Sequence, residues 1–210
     1  MTEKPILFST DMVQAILDDR KTQTRRTRSL NEINKEPDKW VCHGIDNPFG
    51  LFVFDDTEGF EPRIKCPYGQ AGDRLWVRET WSLALAKHGE CFKYRAPINH
   101  KLYYQCGKEC PEGVETITKW NPSIHMPRRA SRITLKVTEV RVERLQDITA
   151  EEVIKEGCQL TGEIFLSPQE ERPVLVNKFE RLWDSLYAKR GYGWEVNPFV
   201  WCISFKRIDK

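Results

Sequence analysis

Residues 20–28 read RKTQTRRTR, with Arg20, Lys21, Arg25, Arg26 and Arg28 set among three threonines. Three chemistries suit this run. It can be a solvated basic helix end, where cations complement the helix dipole. It can be a phosphate clamp, in which guanidinium forks and threonine hydroxyls meet phosphate oxygens. Or it can house a reactive lysine. Arginines cannot give up their protons, so Lys21 carries its own charge against repulsion, its pKa falls, and a neutral amine becomes available as base or nucleophile. Thr24, three residues on, is the nearest hydroxyl that one helical turn or a tight loop would bring to that amine.

Two further constellations carry candidate chemistry. Glu156 sits in the last predicted helical turn of DITAEEVIKEGC, residues 147–158. In the last turn of a helix the negative end of the dipole disfavours a carboxylate, which suits a proton donor; a plain surface glutamate is the ordinary alternative. WNPSIHMPRRASRI, 120–133, gathers Trp120, Arg128, Arg129 and Arg132. The arginines suit phosphate and the tryptophan suits a stacked base. Equally, Trp120, Ile124 and Met126 can pin the loop to a core and leave the arginines in solvent. Cys91, His100, Cys106 and Cys110 have metal-ligand chemistry but the loose pattern C-x8-H-x5-C-x3-C, without paired C-x2-C knuckles, so no metal and no cofactor is expected. A glycine-rich phosphate loop, a G-x-S-x-G elbow and an H-E-x-x-H helix are all absent from the sequence.

The elements that must position these residues follow from periodicity. Residues 5–9 read as a short strand. Thr10 and Asp11 read as a cap and a first-turn acid for a helix to about Asp19, with apolar Met12, Val13, Ile16 and Leu17 on one stripe. That placing puts RKTQTRRTR at the helix end and in the next loop. LFVFD (51–55) and RLWVRETW (74–81) read as strands. ITLKVTEVRVERL (133–145) is a long strand whose alternation slips near Thr138–Glu139, as a bulge or bend would cause. Thr149 and Glu152 form a capping box and Gly157 a stop signal. PVLVNKFERLWDSLY (173–187) is an amphipathic helix with Pro173 in its first turn and a stripe of Leu175, Phe179, Leu182, Trp183 and Leu186; FVWCISFKRI (199–208) alternates as a final strand. An α+β domain on a small curved mixed sheet or barrel is expected, with long excursions at about 29–67 and 82–131.

Composition bounds the rest. The chain has 210 residues, 40% apolar and 30% charged, enough for one generous core. A net charge of +2 excludes a global basic field, so a nucleic-acid partner would need a local patch. Seven cysteines, an odd count, without a secretory leader in MTEKPILFSTDM predict reduced thiols, a cytoplasmic home and no membrane span.

KTQTRR at 21–26, the Gly72–Asp73 turn into RLWVRE, the VTEVRVERLQDIT strand running into AEEVIKEG, and the closing FVWCISFKRI strand together resemble the ASCH domain family, a branch of the PUA-like fold. The resemblance covers about half the chain. PSIHMPRRASRI and LWDSLY are similar to longer members from bacteria and prophages. It implies one domain over 1–210, a small curved mixed β-barrel with flanking helices and two insertions, and RNA or modified nucleotides as ligands. One branch hydrolyses N4-acetylcytidine to cytidine and acetate with a lysine and a threonine of a K-T-x-T-x-R segment and a glutamate on a later helix. Lys21, Thr24 and Arg26 match that segment and Glu156 matches the glutamate; Arg25 stands where that branch has an apolar residue.

The resemblance thus implies a hydrolase acting on a modified, N4-acylated cytidine-type nucleoside. Lys21 would take a proton from Thr24 or water, Thr24 would attack or hold the water, Glu156 would protonate the leaving amine, and Arg26 would steady the oxyanion. Substrate contacts are expected from Arg25, Arg26, Trp76 and Glu79, and from Trp120, Arg128, Arg129 and Arg132. Two other readings use the same residues: an RNA- or nucleotide-binding module without chemistry, and a ribonuclease.

Overall fold

The computed structural model describes residues 1–46, 50–56, 58–86, 89–96, 104–105, 119–159 and 168–208. In chain order the main elements are β1 (Glu3–Leu7), α1 (Thr10–Leu17), β2 (Gln23–Arg26), β3 (Trp40–Asp46), β4 (Leu51–Asp56), β5 (Arg63–Lys65), β6 (Arg74–Arg78), β7 (Trp81–Ala86), β8 (Gly89–Tyr94), β9 (Tyr104–Gln105), β10 (Thr134–Arg144), α2 (Ala150–Lys155), α3 (Pro168–Tyr187) and β11 (Phe199–Ile208). The class is mixed α+β, with most strands in sheets and few helices; the described strands define no closed barrel. No helix among the described residues is long and apolar enough to cross a membrane.

The chain forms two compact units. The first comprises 1–19, 73–136 and 206–210, and the second 20–72 and 137–205. In the first, β6 pairs with β1 in parallel and with the start of β10 in antiparallel; Ile6 lies opposite Val77 and Leu135 opposite Leu75, all buried. β7, β8 and β9 make a three-stranded antiparallel sheet within the second excursion. A small core of Trp81, Tyr94, Met126 and Ala130 packs there. Helix α1 is capped by Ser9, not Thr10: the Ser9 hydroxyl accepts from the Met12 N–H at 3.3 Å. Its end is sharp because Asp19 takes a left-handed φ of 55°.

In the second unit β11 lies between β10 and β2. The first five residues of β11 are all buried, so this strand is covered on both faces where the sequence predicts alternation. β3, β4 and β5 form an antiparallel sheet out of the first excursion. Phe52 meets Trp201 edge-to-face at 4.9 Å between ring centroids, and Phe54 meets Phe199 at 5.5 Å, so β4 packs on β11 through aromatics. Helix α3 starts at Pro168 and contains Pro173 inside it, five residues earlier than the proline signal predicts. Leu175, Phe179 and Trp183 are its core residues, against Leu145, Ile148, Val153 and Val200. Leu182 and Leu186 are exposed instead, 37% and 42%, so the buried stripe is narrower than predicted.

The alternation of β10 does slip where expected: Thr138 and Glu139 are consecutive exposed residues after the in-phase Leu135 and Val137.

Candidate active site

The segment after α1 is not a loop. QTRR forms strand β2 because its backbone pairs with β11, with Thr24 opposite Ile203 and Arg25 opposite Cys202. Thr22 is tied on both sides: its N–H donates to Lys155 O at 2.9 Å, and its carbonyl accepts from Phe205 N–H at 2.9 Å. These bonds fix Lys21 beside the C-terminal end of α2.

That end is set by strong local signals. Thr149 and Glu152 form the predicted capping box, the Glu152 N–H donating to Thr149 Oγ1 at 3.3 Å and the Thr149 N–H to Glu152 Oε2 at 3.2 Å. At the other end, Gly157 takes φ 90°, its N–H donates to Ile154 O at 2.8 Å and the Cys158 N–H to Val153 O at 3.2 Å. This is a Schellman stop, and glycine supplies the left-handed turn. Glu156 is the cap residue between helix and stop. Thr149→Ala is expected to lower stability by about 1 kcal/mol in urea denaturation, with Thr149→Ser near wild type.

Lys21 and Glu156, 135 positions apart, meet at 2.7 Å between Nζ and Oε2. Lys21 Nζ also donates to the Glu156 backbone carbonyl at 2.7 Å, so one ammonium serves both the carboxylate and an end carbonyl of the helix. Arg25 donates to the other oxygen of Glu156 at 3.2 Å, to Glu152 at 2.9 Å and, closely, to Glu143. Arg141 joins Glu143 through Nε at 2.9 Å and also contacts Glu152 closely. Arg141 also pairs with Glu139 at 3.3 Å, so the three cations Lys21, Arg25 and Arg141 face four carboxylates, Glu139, Glu143, Glu152 and Glu156. Thr24 is fully buried, and its hydroxyl accepts from Arg26 at 2.8 Å.

Burial pushes the Lys21 amine below the ordinary lysine range; the Glu156 carboxylate pulls the other way and Arg26 adds a smaller downward push. Glu152 is held below the usual carboxylate range: burial opposes this, but the Thr149 N–H and the two guanidinium groups outweigh it. Burial pushes the Cys202 thiol far up. Glu143, Glu152 and Cys202 offer ligand atoms within 4.8 Å of one another. A cation there would have to displace Arg25 and Arg141, because both guanidinium groups already hold the carboxylates. His100, Cys106 and Cys110, of the other metal-ligand set weighed from sequence, lie outside the described residues.

The remaining sequence-derived residues belong to the first unit. Arg132 donates both arms to Glu79 at 2.8 Å each and one to Ala96 O at 2.7 Å, and its guanidinium lies 4.2 Å from the Tyr94 ring centroid. Burial pushes the Glu79 carboxyl above the ordinary carboxylate range, against Arg132. Arg128 forks onto Glu3 at 2.9 and 2.7 Å. Arg129 lies over Phe92 at 5.9 Å, and Trp120 is half-buried. Trp76 is partly exposed, with the Arg78 and Arg128 guanidinium groups 5.0 and 5.9 Å from its ring centroid.

Sequence reasoning missed Glu143, Glu152 and Arg141 as members of the network. The capping box signalled Glu152, but only as a helix cap. Arg141 and Glu143, two apart on β10, share one face, and a signal existed in that spacing, yet nothing local says what that face meets. No family model, no curated protein and no solved structure matches this chain.

Proposed function

We propose that the protein is a PUA-like, ASCH-type amidohydrolase that cleaves the acyl group from an N4-acylated cytidine-type nucleoside. One observation carries the reading: the 2.7 Å contact between Lys21 and Glu156, two residues distant in sequence that the resemblance assigns to one reaction. Supporting it, burial favours the neutral Lys21 amine, the form a general base requires. Arg26 already donates to the Thr24 oxygen, the position where charge develops if that oxygen attacks. Lys21 takes the proton of Thr24 or of water as the oxygen adds to the acyl carbon; that proton passes across the 2.7 Å contact to Glu156, which delivers it to the departing cytosine amine, and where Thr24 has attacked, water then splits the acyl–threonine ester, releasing acetate and restoring the hydroxyl.

A second reading, a nucleotide-binding module without chemistry, is favoured by burial. The Lys21 and Glu156 side chains are 0% and 6% exposed, as suits an ion pair that holds β2 to α2. The experiment that separates the two incubates the protein with N4-acetylcytidine and with short RNAs, following cytidine, acetate and RNA fragments by chromatography. Release of cytidine and acetate in equal amounts is the expected result. RNA fragments would point to a ribonuclease; unchanged substrates would overturn the hydrolase and leave the binding module.

A further inference from the structure

Arg25 has no part in the proposed reaction, and the resemblance offers it none, since the branch with the lysine, threonine and glutamate has an apolar residue at that position. The structure also removes it from substrate. Its side chain is 1% exposed and commits both terminal nitrogens to carboxylates. Nη1 donates to Glu156 Oε1 at 3.2 Å; Nη2 donates to Glu152 at 2.9 Å and, closely, to Glu143. The Phe179 ring of α3 lies 6.0 Å from the guanidinium carbon. One arginine of β2 thus ties Glu152 and Glu156, four residues apart along α2 and its cap, to the end of β10.

Lys21 and Arg25 divide Glu156 between them: Lys21 takes Oε2 at 2.7 Å and Arg25 takes Oε1. The division matters when Lys21 is neutral. Taking one charge away from a buried pair is strongly unfavourable, because the other is left buried without a counter-ion. With Lys21 as sole partner, each loss of its proton would strand the carboxylate. An arginine does not deprotonate, so Glu156 keeps an opposite charge while Lys21 is a free amine. Other groups around Lys21 are Arg26 on β2, which is directed to Thr24, and Cys158 after the helix stop, itself influenced by Lys178 of α3. Around Arg25 stand Glu143 and Arg141 on β10, Glu152 on α2 and Cys202 on β11. Arg141 is directed to Glu139, Glu143 and Glu152, so the second cation bonded to Glu156 is Arg25.

We propose that Arg25, anchored by Glu143 and Glu152, is a positioning residue that holds Glu156 toward Lys21 and serves as the standing counter-ion that lets the amine shed its proton. The use of this device rests on the hydrolase reading; its electrostatic part is tested without turnover. Carbon-13 NMR of protein labelled at lysine Cε follows the Lys21 amine through a pH titration, and Lys21→Arg identifies the signal by its absence. Arg25→Met removes the charge, keeps an unbranched stem, and is expected to move the Lys21 midpoint up by about 1–3 pH units, the effect of one close charge. Glu152→Gln acts with the opposite sign. It removes a carboxylate, retains a side chain that completes the capping box, and is expected to move the midpoint down. Arg25→Lys is expected to fall closer to wild type than Arg25→Met does. In cytidine release from N4-acetylcytidine the rising limb of the kcat profile moves with the midpoint. Below the wild-type midpoint Arg25→Met therefore loses about 10- to 1,000-fold in kcat, keeps KM within about threefold, and recovers at high pH. Circular dichroism across the pH range checks the fold of each variant. A midpoint that Arg25→Met leaves within about 0.3 pH unit overturns the proposal. So does kcat lost equally at every pH, the mark of a merely structural arginine. Where Arg25→Met does not fold, Glu152→Gln decides: a lowered midpoint supports the counter-ion, and an unmoved or raised one overturns it. Inert N4-acetylcytidine with the expected midpoints overturns the hydrolase and upholds the role of Arg25 toward Lys21.

Discussion

Lys21→Ala is expected to slow cytidine release from N4-acetylcytidine by about 10²- to 10⁴-fold, the usual contribution of a positioned general base. Lys21→Arg makes the sharper variant. Arginine keeps a positive charge for Glu156 but does not deprotonate, so it retains the ion pair and loses the base. A lysine needed only to hold β2 against α2 would tolerate that exchange; retention of activity within tenfold in Lys21→Arg would sink the catalytic role. The pH profile supplies an independent readout. Burial lowers the Lys21 value, so the neutral fraction, and with it the rate, rises with pH and levels off below the pH at which an exposed lysine would titrate, near 10.4. Stability moves in the same direction. The folded state releases this proton more readily than the unfolded chain, so the contribution of Lys21 to stability grows as pH rises from its folded value toward the unfolded one.

The second large effect lies in the other unit. Arg132→Ala is expected to cost about 3–5 kcal/mol, because it leaves the Glu79 carboxylate buried without its bidentate partner. It also removes the bond to Ala96 O and the contact with the Tyr94 ring. Urea denaturation at several pH values tests this, and the sign of the pH dependence is diagnostic. The folded state keeps a proton on Glu79 at pH values where the unfolded chain has lost it. That contribution is complete below the unfolded value of about 4.3 and fades as pH rises through the raised folded value. Without Arg132 nothing opposes burial, so the folded value climbs further. The deficit of Arg132→Ala against wild type is therefore expected to be largest at neutral pH and to shrink on acidification. A deficit that is the same at pH 4 and pH 7 would show that the charge on Glu79 is not its source. Replacing the pair together, Glu79→Gln with Arg132→Met, should recover most of the loss.

What could be read in the sequence divides along a physical line. The turn of chain around Glu156 was legible because it is local: a threonine, a glutamate three residues on and a glycine at the stop state a short helix without help from the rest of the fold. The long β10 and the closing β11 were legible as strands for the same reason, through short apolar, β-branched and aromatic runs, although β11 is buried on both faces over its first five residues and does not alternate there. Strand β2 was not. QTRR has no strand pattern of its own and is extended because β11 offers it a backbone to pair with. Of the short strands that pair as β3–β4–β5 and β7–β8–β9 in the two excursions, LFVFD of β4 carried a run legible by itself; the others are extended through their pairing. In the candidate site, Lys21 and Glu156 were nameable from the resemblance, while the ring of Glu143, Glu152 and Arg141 around Arg25 depends on a tertiary register that no local spacing encodes. The start of α3 was misplaced because Pro173 reads as a first-turn residue, whereas it lies a full turn inside the helix.

The double use of the Lys21 ammonium, on the Glu156 side chain and on its main-chain carbonyl, has an evolutionary consequence. A buried ion pair can often be exchanged for well-packed apolar groups with no loss of stability, and sometimes with a gain. Drift under selection for folding alone would therefore erode positions 21 and 156 toward apolar residues. Descendants that keep both charges would be holding them against that current, and a laboratory lineage selected only for heat resistance would be the place to watch them disappear.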